Sequence, residues 1–239
     1  MNIAIIFAGG AGQRMNTKTK PKQFLELHGK PILVYTLEQF QHHPEIDGIV
    51  LVSLEGWIGY CWEMIEQYRL LKVAAVVPGG DTGQGSIYLG LREAASLYPE
   101  DSVVLIHDGV RPLIDQGTIT KAIRCVEENG TAVTVSPAIE TIVFNNDDRS
   151  VGKIFDRSRC QLAKAPQCFR LGEILNAHEK AKAERHNDFI DSACLMQYYG
   201  YQLFTVEGPA ENIKITTPYD FYLFRAISDA RENSQIFGY

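Results

Sequence analysis

An apolar run from Ile3 to Phe7 that ends against glycine constrains this chain more than any other feature. The segment reads MNIAIIFAGGAGQRMNTKTKPKQF: Ala8, Gly9, Gly10 and Gly12 follow the run, and Arg14, Lys18, Lys20 and Lys22 follow the glycines. A short apolar run bounded by glycine is the pattern of a buried strand in an α/β sheet. Glycines just past such a strand let the backbone approach a ligand and turn its N–H groups onto an anion. Cations in the next loop suit a polyphosphate, so the arrangement points to a nucleoside triphosphate. Two other phosphate loops do not fit. No GxxxxGK[ST] run is present, and GxGxxG fails at Met15. A dinucleotide site also needs an acidic residue after the second strand. Glu26 and Glu38 follow no strand-like run.

Further strand-like runs occur at 48–53, 73–77, 102–106 and 131–135, separated by helix-patterned stretches at 31–41, 57–68, 84–97 and 116–128. Such alternation predicts an α/β fold with a Rossmann-like, mostly parallel sheet flanked by helices. Ligands of such sheets bind beyond the carboxyl ends of the strands. The glycine loop, PGGD at 78–81 and HDGVRP at 107–112 each follow a predicted strand, so they are expected to converge on one edge. Between about 136 and 160 the pattern changes to two short alternating strands around NNDD, a β-hairpin arm. An isolated hairpin is marginal in water, which predicts a partner surface. The whole chain, 1–239, is read as one domain carrying that arm.

A hydrophobic content of 45% supplies a sizeable core, and a net charge of −6 provides no basic field for nucleic acid or a membrane surface. The cationic loop is local, which favours a small anionic ligand. Cys61, Cys125, Cys160, Cys168 and Cys194 include no CxxC pair and are odd in number, so free thiols in a reducing cytoplasm are expected. Cys125 and Cys194 lie in apolar-periodic stretches and are expected in the core. No secretory signal pattern or membrane-spanning run is visible. In HDGVRP, Asp108 can bind Mg²⁺ or a ribose hydroxyl, and Arg111 can bind a phosphate or pair with Asp108. His107 is read as a packed strand end.

AGGAGQRM followed by PKQFLELHGKPI closely resembles the polyol-phosphate cytidylyltransferases, which act on 2-C-methyl-D-erythritol 4-phosphate or ribitol 5-phosphate. The resemblance continues in PGGDTGQGSI, IHDGVRP, APQCF and VEGPAENIKITTPYD, in family order across nearly the whole chain. It implies attack by a polyol-phosphate oxygen on the α-phosphorus of CTP, with Mg²⁺ as cofactor and pyrophosphate released. By resemblance Arg14, Lys22 and Lys214 are the catalytic cations. Ala8, Gly9, Gly10, Gly12 and Asp108 would hold the nucleotide, with Asp108 also the metal ligand, and Gly80, Asp81 and Ser86 would read the cytosine. Arg111, Asp191 and, from the arm of a neighbouring subunit, Thr141 and Arg157 would hold the acceptor. This implies a homodimer. Lys18 and Lys20 have no motif position.

Three residues depart from the family pattern. Gly83 stands where Arg is common, which predicts a missing phosphate contact and, with Gly85, a laxer loop. Ala165 stands where Thr is usual, and Ile190 replaces the Thr of the methylerythritol enzymes. Losing two hydroxyls from the acceptor pocket favours ribitol 5-phosphate. The alternatives are methylerythritol 4-phosphate, a sugar 1-phosphate with UTP or dTTP, and a catalytically silent nucleotide-binding subunit.

Overall fold

The five apolar runs form strands because each is apolar on both faces, the pattern of a sheet covered on both sides. The computed structural model describes residues 1–10 and 20–237. β1 (Asn2–Ala8) turns Ala4, Ile6 and Ala8 to one side and Ile3 and Ile5 to the other. A two-residue ribbon, β2 (Glu26–Leu27) with β3 (Lys30–Pro31), leads into α1 (Ile32–Gln41). Then come β4 (Gly48–Ser53), α2 (Ile58–Gln67), β5 (Val73–Pro78), α3 (Gly83–Leu97), β6 (Val103–Asp108), α4 (Gln116–Asn129) and β7 (Thr131–Pro137). The arm is β8 (Val143–Asn145) and β9 (Val151–Ile154). After it follow β10 (Gln161–Arg170), α5 (Leu171–Ala183), α6 (Ser192–Tyr198), β11 (Thr205–Glu207) and α7 (Pro218–Phe237).

The main sheet has seven strands in the order β11-β7-β10-β6-β1-β4-β5. All neighbours run parallel except β10, which is antiparallel to both β6 and β7. Neither β10 nor β11 is visible as an apolar run. β10, QLAKAPQCFR, carries a polar residue at every third position, and takes its place by pairing back along β7. The arm is therefore the outer tip of a longer β7–β10 hairpin. Helices α1, α2 and α4 cover one face of the sheet, and α3, α5 and α6 cover the other. A smaller cluster of Leu27, Ile32, Val110, Leu113, Ile215 and Phe224 fastens α7 beside the β6 exit.

Local chemistry sets the helix starts. Thr82, Asp115 and Asp191 are N-caps, accepting from the backbone N–H of Gly85, Thr118 and Cys194. The Thr82 cap places Gly83 and Gly85 in the first turn of α3, so the laxity expected of a loop there is replaced by a capped helix. Packing also corrects the cysteine expectation. Cys61 and Cys168 are buried, whereas Cys125 is half-buried and Cys194, on the outer side of α6, is exposed. The polar stretch from Ala230 continues α7 as far as Phe237.

Candidate active site

Three strand ends meet where the sequence pattern places them. Beyond the carboxyl ends of β1, β5 and β6 lies a cavity of about 650 Å³, lined by Ala8, Gly9, Gly10, Gly80, Asp81, Ser86 and Asp108, with Lys22 and Lys214 at its wall. That volume lies within the usual range for small-molecule sites, about 300–1,000 Å³. Glycine suits positions 9 and 80 because the walls come close there. A Cβ on Gly9 would lie 3.2 Å from Ser86 Oγ, and one on Gly80 would lie 3.0 Å from the Gly85 carbonyl carbon. Ser86 shapes the pocket: its Oγ accepts from Gly80 N–H (3.1 Å) and donates to the Thr82 carbonyl (2.9 Å).

PKQF works as an anchor. Gln23 is buried and donates to the Ala8 carbonyl at 2.5 Å, while Phe24 stacks on Trp57 at 4.7 Å and meets Tyr60 edge-on. Lys22, between Pro21 and Gln23, stays partly exposed at the cavity and donates to the Ile215 carbonyl at 3.1 Å. Lys20 pairs instead with Glu26 on the surface. Arg14, Gly12 and Lys18 lie outside the described residues.

Asp108 is the centre of charge. It is buried at the end of β6, with Arg111 Nε donating to Oδ2 at 2.7 Å and Lys214 Nζ to Oδ1 at 2.5 Å. Burial alone would raise its pKa; Lys214 and then Arg111 outweigh that and hold the carboxyl below the usual range. Arg111 thus pairs with Asp108, and its Nη1 donates to the Asn212 carbonyl at 2.9 Å. The Lys214 segment is fixed to the β6 exit by Ile215 N–H donating to the Val110 carbonyl. His107 is buried and packed, as expected. Its Nε2 lies 3.1 Å from the Arg111 carbonyl, which requires that nitrogen to carry the proton, and burial pushes its pKa down to about 4.

A second cavity of about 290 Å³ adjoins the first. The two share Phe7, Gly83, Asp108 and Lys214. Ala165, Ile190 and Asp191 line the second one, so both positions that lack the family's hydroxyl face it. Asp191 Oδ2 accepts from Gln167 Nε2 at 2.9 Å, and Gln167 Oε1 accepts from Ala193 N–H, binding β10 to the start of α6. Lys164, absent from the sequence reading, also lines this cavity. It donates to the Ala210 carbonyl, and burial first, then Arg111, lowers its pKa. Buried Asn212 donates to the Ala165 carbonyl at 2.6 Å and joins β10 to the Lys214 segment. For Gln167 the available signal was its place in the APQCF motif, which Lys164 directly precedes. Asn212 offered none beyond its motif.

Thr141 and Arg157 line neither cavity. Both are exposed on the arm, where Arg157 Nη1 donates to the Ile139 carbonyl. Among the described residues no group of three or more His, Cys, Asp or Glu could hold a metal, so Asp108 stands as a single carboxylate. None of the described helices is long and apolar enough to cross a membrane.

Residues 2–229 match the family IspD: 2-C-methyl-D-erythritol 4-phosphate cytidylyltransferase. The chain belongs to this family. It is accordingly a nucleotidyltransferase of the cytidylyltransferase class. A ribitol-5-phosphate cytidylyltransferase of Streptococcus agalactiae serotype III is 53% identical over 238 residues, covering all of both chains. A 2-C-methyl-D-erythritol 4-phosphate cytidylyltransferase of Clostridium botulinum is 40% identical, over 93% of this chain and 95% of that one. The crystal structure of 4-diphosphocytidyl-2C-methyl-D-erythritol synthase from Anaerococcus prevotii superimposes with a TM-score of 0.83. It is 28% identical and covers 95% of this chain and 96% of that one. The cytidylyltransferase fold shares the mostly parallel sheet described above.

Proposed function

We propose that this chain transfers a cytidylyl group from CTP to ribitol 5-phosphate, releasing pyrophosphate. The observation that carries the reading is the pair of cavities sharing a wall at Asp108 and Lys214. The larger suits a nucleoside triphosphate at the glycine loop, and the smaller suits a phosphorylated polyol. A phosphate oxygen of the acceptor attacks the α-phosphorus of CTP, the bond from that phosphorus to the bridging oxygen breaks, and pyrophosphate leaves. The acceptor phosphate is already anionic (second pKa about 6), so no general base is needed. Positioning and charge stabilisation do the catalytic work, and they fall to Lys22, Lys214 and Arg14. A Mg²⁺ brought with the nucleotide would be held by Asp108 and phosphate oxygens once Lys214, 40% exposed, turned from that carboxylate to the phosphates, and it would neutralise phosphate charge.

Ribitol 5-phosphate is favoured over methylerythritol 4-phosphate for two reasons. Ala165 and Ile190 offer no hydroxyl to a branched acceptor, and the relatives at 53% identity carry the ribitol name. Each lost hydrogen bond is worth about 1 kcal/mol, so the preference should be about tenfold to a hundredfold. The arm exposes Val143, Phe144, Val151, Ile154 and Phe155, an apolar surface suited to a second copy of the chain. In a homodimer it would carry Thr141 and Arg157 to the partner's acceptor cavity. The five cysteines, none of them in a disulfide, suit a cytoplasmic enzyme. Pyrophosphate release, measured with four nucleoside triphosphates and both acceptors, tests the reading. CTP with ribitol 5-phosphate should give the highest kcat/KM. A higher value for methylerythritol 4-phosphate overturns the acceptor, and equal turnover of UTP or GTP overturns the base.

A further inference from the structure

Two residues that line the smaller cavity each carry a buried polar atom that the fold leaves unpaired. His178 lies on the inner side of α5 beside Ile174, Ala177 and Ala181, with its ring stacked on Tyr88. Ser192 opens α6 directly after Asp191. Each residue is only 3% exposed and each lines the cavity. Neither His178 Nε2 nor Ser192 Oγ has a hydrogen-bond partner among the described residues. A buried polar atom left unpaired costs about 1–3 kcal/mol, and two in one cavity double that. The remaining orphans are distributed differently. Gln23 Oε1 belongs to a residue at the nucleotide cavity, while Ser102, His107 and Asn212 line neither.

The kind of group that would satisfy them follows from their surroundings. Arg111, Lys164 and Lys214 outnumber the Asp108 carboxylate at this lining, and Lys214 and Asp108 lie on the wall shared with the nucleotide cavity. That end suits the acceptor's phosphate. His178 and Ser192 line only the unshared part, together with apolar Ile87, Phe189 and Leu195 and the carboxylate of Asp191. Burial keeps the imidazole neutral near pH 7. A neutral imidazole and a hydroxyl, next to a carboxylate, suit carbinol groups rather than a second anion.

We propose that His178 Nε2 and Ser192 Oγ bind the hydroxyl chain of the acceptor polyol and set the chain length the enzyme prefers. This rests on the acceptor occupying the smaller cavity, as proposed above. A polyol one carbinol shorter leaves one of the two atoms unpaired, so chain length is read as a lost hydrogen bond.

The test compares ribitol 5-phosphate with erythritol 4-phosphate, one carbinol shorter, by pyrophosphate release in the full-length enzyme and in Ser192→Ala and His178→Gln. The wild type is expected to prefer the longer acceptor in kcat/KM by at least fivefold. Each variant should raise the acceptor KM about five- to tenfold and shrink that preference by a similar factor, with kcat and the KM for CTP within about twofold. Ser192→Ala should keep or raise Tm, because its hydroxyl has no protein partner to lose. It decides the matter by itself if His178→Gln folds poorly. Unchanged preference in Ser192→Ala, or no preference in the wild type, overturns the proposal. Failure of the underlying reading has a different signature: no pyrophosphate release by the wild type with any polyol phosphate, which overturns both.

Discussion

Two buried histidines make the stability of this fold depend on acidity. Burial holds His107 and His178 at about 4, against an unperturbed value of 6.5. The unfolded chain therefore binds more protons than the folded one between those two values, and stability must fall as pH drops through that window. It is whole above about pH 6.5 and stops falling near pH 4. Between pH 7 and pH 5 linkage gives a loss of about 2 kcal/mol per ring, about 4 kcal/mol for both. His43, also lowered chiefly by burial, acts in the same direction. Asp108 does not contribute there. Its folded pKa is depressed, so its share is lost only as pH falls below the ordinary carboxylate range, about 4.

Against a typical total of about 5–15 kcal/mol, a loss of that size is easily measured. Urea unfolding at pH 7, 6 and 5, at fixed protein concentration, gives the change directly. The fluorescence of Trp57 and Trp62 serves as the probe. His178→Gln should remove about half of the pH dependence, and the double variant with His107→Asn most of it. A wild-type stability that is flat between pH 7 and 5 would refute the reasoning, as would a double variant that keeps the full slope.

Other perturbations separate structural from catalytic roles. Asp108→Asn should cost stability by about 1–3 kcal/mol, because Arg111 loses a buried partner while Lys214, 40% exposed, can turn to water; it should also weaken the Mg²⁺ requirement of turnover. An unchanged Tm and Mg²⁺ titration would exclude both roles. Lys22→Ala should lower kcat by about a hundredfold without unfolding the chain, on the scale of one lost transition-state donor; near-normal kcat removes it from the mechanism. Gly90→Ala should destabilise by about 1–3 kcal/mol despite better helix propensity, because its Cβ would lie 2.7 Å from Val52 Cγ2 and 2.8 Å from Ile5 Cγ2. Thermal unfolding checks this, and a gain in Tm would mean that α3 can shift off the sheet. Mixing Lys22→Ala with Arg157→Ala should restore part of the activity if each site draws on two chains; no recovery in confirmed mixed dimers would place Arg157 outside the site.

What the sequence disclosed divides along a physical line. The β1, β4, β5, β6 and β7 runs were legible because strands covered on both faces must be continuously apolar, and glycine after them marks where backbone must approach closely. β10 was not legible. Its outer half, QLAK, follows the arm away from the core and is largely exposed, and its buried half, APQCF, is interrupted by a proline and a glutamine. β11 is three residues long and half-exposed, too short for a period to register. Motif positions located Asp108, Lys22 and Lys214, yet a motif records identity and not partners. Only the fold shows that Asp108 is already held by two cations. The same limit explains His178 and Ser192. A histidine among alanines on a helix reads as core, and a serine after a capping aspartate reads as helix start. Both descriptions are correct for the backbone they sit on. Neither accounts for a polar atom that remains unpaired, because pairing depends on β10, α3 and α6 meeting across one cavity. Sequence periodicity reports which side of an element is buried, and not which buried groups the protein itself leaves unsatisfied.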